Sequence, residues 1–312
     1  MIERENQVRY GYACVCMSLQ RLNEAKCRGI QKKTFLAEGP NYAANLAIEN
    51  AKDLLKIIKW NEANGFTFFR MSSELIPWAS EFDLEDLIRY DTLYKSFEMV
   101  GDYAKAHNHR LTFHPGPFNV LVSENDNVVE RTIKDLTNHG EIMDMMGLSR
   151  TPFNKINIHC NGVYGNKQAA MDRFCRNFER LPESVQTRLT VENDDKASMY
   201  SVKDLMYIHE RIGIPIVFDY FHHTFNTGGL TEKEALELAM STWSDDIVPV
   251  VHYSESRRIE DPKAKSTAHS DYIYDEIYTY GYNLDVMVEA KMKDYAVINY
   301  IEKYYKLDLE LS

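Results

Sequence analysis

Short apolar runs alternate with amphipathic helical stretches along the whole chain, and this alternation constrains the fold most. The apolar residues within each run are consecutive, which is typical of parallel strands covered on both faces. The stretches between the runs carry apolar residues at helical spacing and often end at glycine, as 41–64 does before Gly65. The predicted strands are 8–17, 66–71, 110–114, 156–159, 189–192, 215–219, 248–252 and 285–289.

Eight β/α units in 312 residues predict one TIM (β/α)8 barrel that forms a single domain over residues 1–312. The alternative is a doubly wound open sheet, but no Gly-x-Gly-x-x-Gly follows the first run. The absence of a repeat of about 20–50 residues excludes a solenoid. The predicted helices are 41–64, 87–106, 128–146, 168–180, 202–212, 231–243 and 293–304.

The composition is that of a globular protein, with 44% apolar and 27% charged residues. A net charge of −11 argues against a protein that wraps nucleic acid with its whole surface, although it permits local basic patches. Residues 1–6 are charged or polar without an apolar stretch behind them, which excludes a signal peptide. No run is apolar enough to span a membrane, and five cysteines at irregular spacing do not suggest a disulfide framework. We therefore expect an intracellular protein that is not membrane-bound.

Six predicted strands in succession end in His, Asp or Glu, and the ends of barrel strands converge on one mouth. A single strand-end histidine is as readily an ordinary polar group at the rim of the core. Six together would repel or neutralise one another unless cations separated them. The ligand-type residues at these ends and in the adjoining loops are His114, His159, Glu192, Asp219, His222, His252, His269 and Glu289.

Imidazole and carboxylate together suit Zn²⁺, Mn²⁺ or Fe²⁺ better than Ca²⁺. Eight ligands are too many for one ion, so the sequence predicts two or three, with Glu192 as the bridging carboxylate. Clustered ions commonly serve phosphodiester cleavage, because they hold both the attacking and the leaving oxygen. The histidines in or beside helices, namely His107, His109, His139 and His209, are interpreted as ordinary surface residues.

Two loops on the predicted mouth face are locally basic. One is 19–34, and the other follows the seventh strand and contains Arg257 and Arg258. Each alone is typical of a solvated charged loop. Beside a metal cluster, both are placed to hold DNA phosphates.

The strand ends belong to a series of motifs that runs in order over nearly the whole chain. The motifs are Tyr-Gly-Tyr-Ala at 10–13, Arg-Met-Ser-Ser at 70–73 with Pro77, Phe-His-Pro-Gly at 113–116 with Phe-Asn-Val-Leu at 118–121, His159 with Gly162, Tyr164, Gly165 and Lys167, Val-Glu-Asn-Asp-Asp at 191–195, Phe218 and Asp219 with His222 and His223, His-Tyr-Ser at 252–254, Ala-His-Ser-Asp-Tyr-Ile at 268–273, and Glu-Ala-Lys at 289–291 with Lys293 and Asp294. In this order they resemble the UV damage endonucleases, TIM-barrel DNA repair enzymes related to the endonuclease IV class of AP endonucleases.

The resemblance implies an endonuclease that nicks double-stranded DNA immediately 5′ of UV photoproducts with divalent ions, Mn²⁺ foremost and Mg²⁺ or Zn²⁺ as alternatives. It places the family's metal ligands on the eight residues already selected, among which we assign catalytic roles to Glu192, His114, His159, Asp219 and Glu289. No protein partner is implied. The residues expected to contact DNA or the lesion are Tyr12, Cys16, Pro117, Phe118, Tyr164, Lys167, Arg257 and Arg258.

Three positions depart from the family pattern. Pro117 replaces the usual Gln and offers no donor to an orphaned base, and Cys16 replaces the usual Asn. Val250 stands where the family has a metal-bridging modified lysine, and valine cannot ligate. These departures leave open an AP endonuclease and a damage-binding module without cleavage. A metal-dependent sugar isomerase or epimerase on the same barrel is a third alternative.

Overall fold

The computed structural model describes residues 8–305, in which eight parallel strands form one sheet in the order β3-β2-β1-β8-β7-β6-β5-β4. The two outer strands of that order meet through a parallel bridge between Phe113 and Ile156, where Phe113 N donates to Lys155 O at 2.9 Å. The predicted TIM barrel is confirmed. The strands are β1 Arg9–Ala13, β2 Phe68–Arg70, β3 Arg110–Thr112, β4 Ile156–His159, β5 Leu189–Glu192, β6 Ile216–Asp219, β7 Val250–Tyr253 and β8 Asp285–Val288.

Helices follow the strands and cover the outside of the barrel. Their positions agree with the predicted helices to within a few residues, and four short helices were not predicted because they lie in loops. The helices are α1 Met17–Arg21, α2 Lys32–Glu38, α3 Pro40–Ala63, α4 Tyr90–Ala106, α5 Asp126–Met145, α6 Lys167–Phe178, α7 Glu183–Gln186, α8 Val202–Ile212, α9 Tyr220–Phe225, α10 Glu232–Met240 and α11 Lys293–Tyr305.

Local signals explain several of these boundaries. Thr231 caps α10 and exchanges hydrogen bonds with Glu234, which satisfies backbone donors at the start of the helix. The first strand ends earlier than predicted because Cys14 adopts a positive φ of 72°. Gly11 faces the barrel interior, where a Cβ would lie 2.5 Å from Phe68 O, so a larger residue would push β1 away from β2.

The barrel floor, at the amino ends of the strands, is charged. Arg110 has no exposed side-chain area, and its guanidinium donates to Asp285 Oδ2 at 2.8 Å and to Val248 O at 2.6 Å. Arg9 Nε donates to Asp285 Oδ1 at 2.8 Å. A layer of ion pairs therefore closes this end of the barrel, at the opposite ends of the strands from the mouth.

Within residues 8–305, no helix is long and apolar enough to cross a membrane. The predicted absence of a signal peptide concerns residues 1–6, which lie outside the described residues.

Candidate metal centre

The carboxyl ends of the strands meet around the carboxylate of Glu192, which is only 1% exposed at the end of β5. His114 Nε2 and His252 Nδ1 each lie 3.1 Å from Glu192 Oε2. His222 Nδ1 lies 3.4 Å and His159 Nε2 3.9 Å from Glu192 Oε1. Four predicted ligands thus surround the residue that we predicted to bridge.

Three groups of three ligand-type residues have one donor atom each within 4.8 Å of the others in the described part of the chain. The groups are His114, His252 and Glu289; His114, His159 and Glu192; and Glu192, Asp219 and His222. His114 and Glu192 each belong to two groups, so ions bound here would share ligands. This sharing is the arrangement that a cluster of closely spaced ions requires.

Polar groups lie close to the outer nitrogens of two of the imidazoles. Asp194 Oδ1 lies 3.2 Å from His159 Nδ1, on the side of the ring away from Glu192, without an aligned hydrogen bond between them. Asp219 caps the start of α9, where its Oδ1 accepts a hydrogen bond from His222 N at 2.7 Å. The His222 ring places Nδ1 2.9 Å from Asn193 O. Such outer contacts fix the ring orientation of metal ligands.

The electrostatics divide the histidines into two kinds. Burial lowers the pKa of His114 to about 4 and also lowers the pKa of His252, so both rings are neutral. Although burial opposes their charged form, nearby carboxylates raise the pKa of His159 to about 9 and of His222 to about 8. Burial opposes ionisation of Glu192 as well, yet the imidazoles hold its pKa well below the usual range. Two protonated histidines, together with the Arg70 guanidinium beside Glu289, thus face the carboxylates in the metal-free protein.

Asp219 Oδ2 and His252 Nδ1 are among the buried atoms that have no hydrogen-bond partner in the described part of the chain. His252 Nδ1 lies 3.3 Å from Glu289 Oε1 as well as close to Glu192, without an aligned hydrogen bond to either. Buried acceptors left unpaired are costly, and a bound cation would satisfy both. The donor set of imidazole and carboxylate fits divalent transition ions.

Val250 is fully buried two residues before His252, and it supplies no ligand. A different lysine approaches the same ring: Lys155, which precedes β4 and is 1% exposed, places Nζ 3.3 Å from His252 Nε2. Burial lowers the pKa of Lys155 to about 7. The barrel thus has a lysine beneath this ligand, although it comes from a different strand.

His269 belongs to none of the three groups. Its Nδ1 lies 2.8 Å from Glu289 O, and 3.9 Å from Glu289 Oε2. Two helix-associated histidines are also not surface residues, contrary to the prediction. His109 is 2% exposed and Nε2 lies 2.8 Å from Glu62 Oε2; His139 is 3% exposed and Nδ1 lies 2.7 Å from Asp135 O. Each ring pairs one nitrogen with a local partner outside the mouth, while His109 Nδ1 and His139 Nε2 have no hydrogen-bond partner among residues 8–305.

Some of the predicted DNA contacts lie on the surface. Phe118 is 88% exposed beside the exposed Pro117, and both line a groove of about 780 Å³ next to the loop after β2. Tyr164 is 45% exposed, and Arg173 lies over its ring at 5.3 Å. An exposed phenylalanine of this size is available for contact with another molecule.

The predicted basic contacts are already engaged with the protein. Lys167 Nζ lies 3.0 Å from Asp204 Oδ2, and Arg257 Nη1 lies 3.0 Å from Asp271 Oδ1. Arg258 is exposed, and its Nε donates to Ala264 O at 2.9 Å.

Tyr12 and Cys16 are covered by protein. Tyr12 has no exposed area and donates to Asn61 Oδ1 of α3 at 2.5 Å, and Cys16 is 1% exposed. Gly11 and Ala13 occupy the inward positions on either side, so the tyrosine ring points away from the barrel axis. Contact of either side chain with DNA would first require this segment to move.

Four polar residues of the mouth were not predicted from the sequence. Lys155 and Asp194 are two of them, and the third is Arg70, whose guanidinium forms an ion pair with Glu289. The fourth is Asn157, whose Nδ2 donates to Glu192 Oε2. Lys155 and Asn157 lie four and two residues before His159, so strand alternation could have placed them on the inward face. No sequence signal shows how far the long side chains reach.

The barrel resembles those of sugar epimerases at low sequence identity. 3-Keto-D-glucoside 4-epimerase from E. coli is 10% identical, with a TM-score of 0.54 over 96% of this chain and 98% of that chain. At this identity the likeness concerns the fold alone.

The family model of UV-endonuclease UvdE matches residues 8–309. The UV-damage endonuclease of Schizosaccharomyces pombe is 35% identical over 311 residues, which cover 95% of this chain and 50% of that protein. The UV DNA damage endonuclease of Bacillus mycoides is 31% identical over 94% of this chain and 93% of that protein. The crystal structure of SacUVDE is 30% identical, with a TM-score of 0.84 over 97% of this chain and all of that one. The chain therefore belongs to the UV-endonuclease UvdE family.

Proposed function

We propose that this chain is a DNA repair endonuclease that nicks double-stranded DNA immediately 5′ of UV photoproducts and that depends on two or three divalent ions, with Mn²⁺ the preferred ion. The observation that carries the proposal is the shared use of His114 and Glu192 by neighbouring ligand groups at the mouth of the barrel. Family membership supports the substrate, and the ligand geometry supports the dependence on metal.

The residues that would hold the ions are seven of the eight predicted ligands, with His269 adjoining them through Glu289. Bound divalent ions would polarise the phosphodiester and stabilise the charge that develops on its oxygens. Hydrolysis adds water to the phosphorus and releases the 3′-oxygen, so the nick carries a 3′-hydroxyl and a 5′-phosphate. The imidazoles lie around the Glu192 carboxylate. Asp194 lies beside the opposite nitrogen of His159, where it would hold that ring in position.

Lesion recognition is assigned to the loop after β3. Phe118 is exposed, and the ring of the preceding Pro117 restricts the backbone that carries it. The Phe118 ring can therefore stack on a base that a photoproduct has displaced or left unpaired. Pro117 cannot donate a hydrogen bond to that base. We expect recognition here to depend on stacking, and Tyr164 offers a second exposed ring next to Lys167.

The test is a nicking assay on supercoiled plasmid with and without UV irradiation, in buffer containing Mn²⁺. We expect nicking of irradiated plasmid only, abolished by a chelator and lowered at least ~100-fold in Glu192→Gln, as on loss of a group that holds the catalytic ions. Glu183→Gln is the matched control, because it makes the same chemical change at a side chain that is 76% exposed on the outer surface. Equal nicking of both plasmids would contradict the proposal.

Defined oligonucleotides separate the alternatives. A duplex with one cyclobutane dimer and a duplex with one abasic site are offered at equal concentration, and a higher rate on the abasic duplex would reassign the chain as an AP endonuclease. Tight binding of the dimer duplex without nicking in Mn²⁺, Mg²⁺ or Zn²⁺ would indicate a binding module. Interconversion of ketose sugars without action on DNA would indicate an epimerase.

A further inference from the structure

Arg70 is a permanent cation inside a centre built to hold divalent cations. It ends β2, its side chain is 14% exposed, and Nη1 forms an ion pair with Glu289 Oε1. Glu289 belongs to one of the three ligand groups, with His114 and His252. The guanidinium therefore occupies a carboxylate oxygen that a metal ion would also use.

A guanidinium at this position opposes metal binding, because like charges repel most strongly where water is excluded. If this position served only to hold a metal ion, a neutral side chain would serve better. The charge thus points to a second anion that the site receives.

The guanidinium has donors to spare. A guanidinium carries five N–H donors, and among residues 8–305 the hydrogen bond to Glu289 is the one its side chain makes. The side chain retains an exposed fraction at the mouth. Its planar fork matches the two oxygens of a phosphodiester better than an ammonium does.

We propose that Arg70 is a catalytic residue that exchanges its partner: it pairs with Glu289 in the metal-free protein and contacts the scissile phosphodiester when Glu289 serves as a metal ligand. This inference rests on the proposed endonuclease function and assigns a role in it to a residue outside the ligand set. It requires opposite effects of one substitution, namely tighter metal binding and slower cleavage. A residue that merely braces Glu289 would weaken both.

The test compares Arg70→Gln, Arg70→Lys and the wild-type chain by calorimetric titration of Mn²⁺ and by cleavage of a dimer-bearing duplex. For Arg70→Gln we expect the Mn²⁺ dissociation constant to fall at least threefold and kcat to fall about 100- to 1000-fold, as on removal of one anion-stabilising donor. Arg70→Lys keeps the charge but loses the fork, so its Mn²⁺ affinity stays near that of the wild type and its kcat falls about tenfold or more.

Arg150→Gln is the matched control, since Arg150 also pairs with carboxylates, Asp144 at 2.7 Å and Glu183 at 3.0 Å, outside the mouth. It should change neither quantity. Weaker Mn²⁺ binding by Arg70→Gln would overturn the proposal in favour of a brace, and unchanged cleavage would overturn the phosphate contact. If Arg70→Gln does not fold, an unchanged kcat in Arg70→Lys is the overturning result. Failure of the wild-type chain to nick irradiated DNA would instead refute the proposed function.

Discussion

Replacement of Asp285 by asparagine tests the ionic floor of the barrel separately from its mouth. Asp285 is 2% exposed, and its two oxygens each accept a hydrogen bond of 2.8 Å, from Arg9 and from Arg110. Burial lowers the pKa of Arg110 to about 10, because desolvation of this guanidinium costs more free energy than its interaction with Asp285 recovers. Without the carboxylate that cost is uncompensated.

Removing one member of a buried ion pair costs about 3–5 kcal/mol. The amide introduced by Asp285→Asn could accept a hydrogen bond from one arginine only, and its NH₂ group would face the other. The carbonyls of Pro152, Phe153 and Val248 still accept from Arg110, so the loss stays within that range. For a domain of this size, the melting temperature should fall by on the order of 10 °C.

Urea unfolding measures the change directly, as a lower midpoint at an unchanged slope. Glu183→Gln is again the matched control, because its ion pair with Arg150 is exposed and is worth less than about 1 kcal/mol. Nicking per folded molecule at low temperature should be unchanged in both variants, since the floor lies at the opposite ends of the strands from the ligands. If the two substitutions lower the midpoint equally, the energetic argument is refuted.

Four further predictions concern the mouth and the loop beside it. Phe118→Ala should slow lesion-directed nicking about 5- to 150-fold because stacking is lost, with no change in melting temperature. Met99→Ala, on the outer surface, is the control and should change neither quantity. Equal nicking rates for Phe118→Ala and the wild-type chain would exclude stacking by Phe118. Binding of Mn²⁺ at pH 7 should release roughly two to three protons. An imidazolium cannot ligate, and the pKa values of His159 and His222 are about 9 and about 8; burial also raises the pKa of Asp219 to about 7, so part of this carboxyl must lose its proton as well. Calorimetry in buffers of different ionisation enthalpy measures the number, and a value near zero would contradict it. The stability that these two raised pKa values give the metal-free protein is complete below about pH 6.5 and is lost as pH rises through about 8 and about 9, so this contribution falls while Mn²⁺ affinity rises. Asp194→Asn should weaken Mn²⁺ binding about 10- to 100-fold by releasing the His159 ring, and unchanged affinity in a titration would remove that role.

The strand ends could be predicted from sequence because two simple rules act together. Parallel strands covered on both faces read as continuous apolar runs, and in a barrel their carboxyl ends meet. His159, Glu192 and Asp219 therefore had to lie in one mouth once the barrel was inferred, and the structure places their neighbours within a few ångströms. The capping box at Thr231 is an equally local signal, which is why the start of α10 lies within one residue of the predicted start.

The remaining features depend on how far side chains reach, which sequence patterns do not encode. Lys155 precedes β4 near the floor, yet its long side chain brings Nζ to 3.3 Å from His252 Nε2. Tyr12 was predicted to contact a lesion from a family motif, but it packs beneath α3 because Gly11 takes the inward position. The buried His109 and His139 look like surface residues in sequence and are paired by acceptors one helix turn or one element away.

The acidic net charge of −11 is compatible with a DNA substrate because it does not describe the mouth. Glu192 and Asp219 are buried and the Glu289 side chain is 12% exposed, and their carboxylates face imidazoles and Arg70. Two or three divalent ions would add roughly +4 to +6 at this place, so the sign of the local potential would be set by metal loading. DNA affinity should therefore rise with Mn²⁺ far more than surface charge alone predicts, and the Arg70 guanidinium, released from Glu289 by the same ions, would add to that rise.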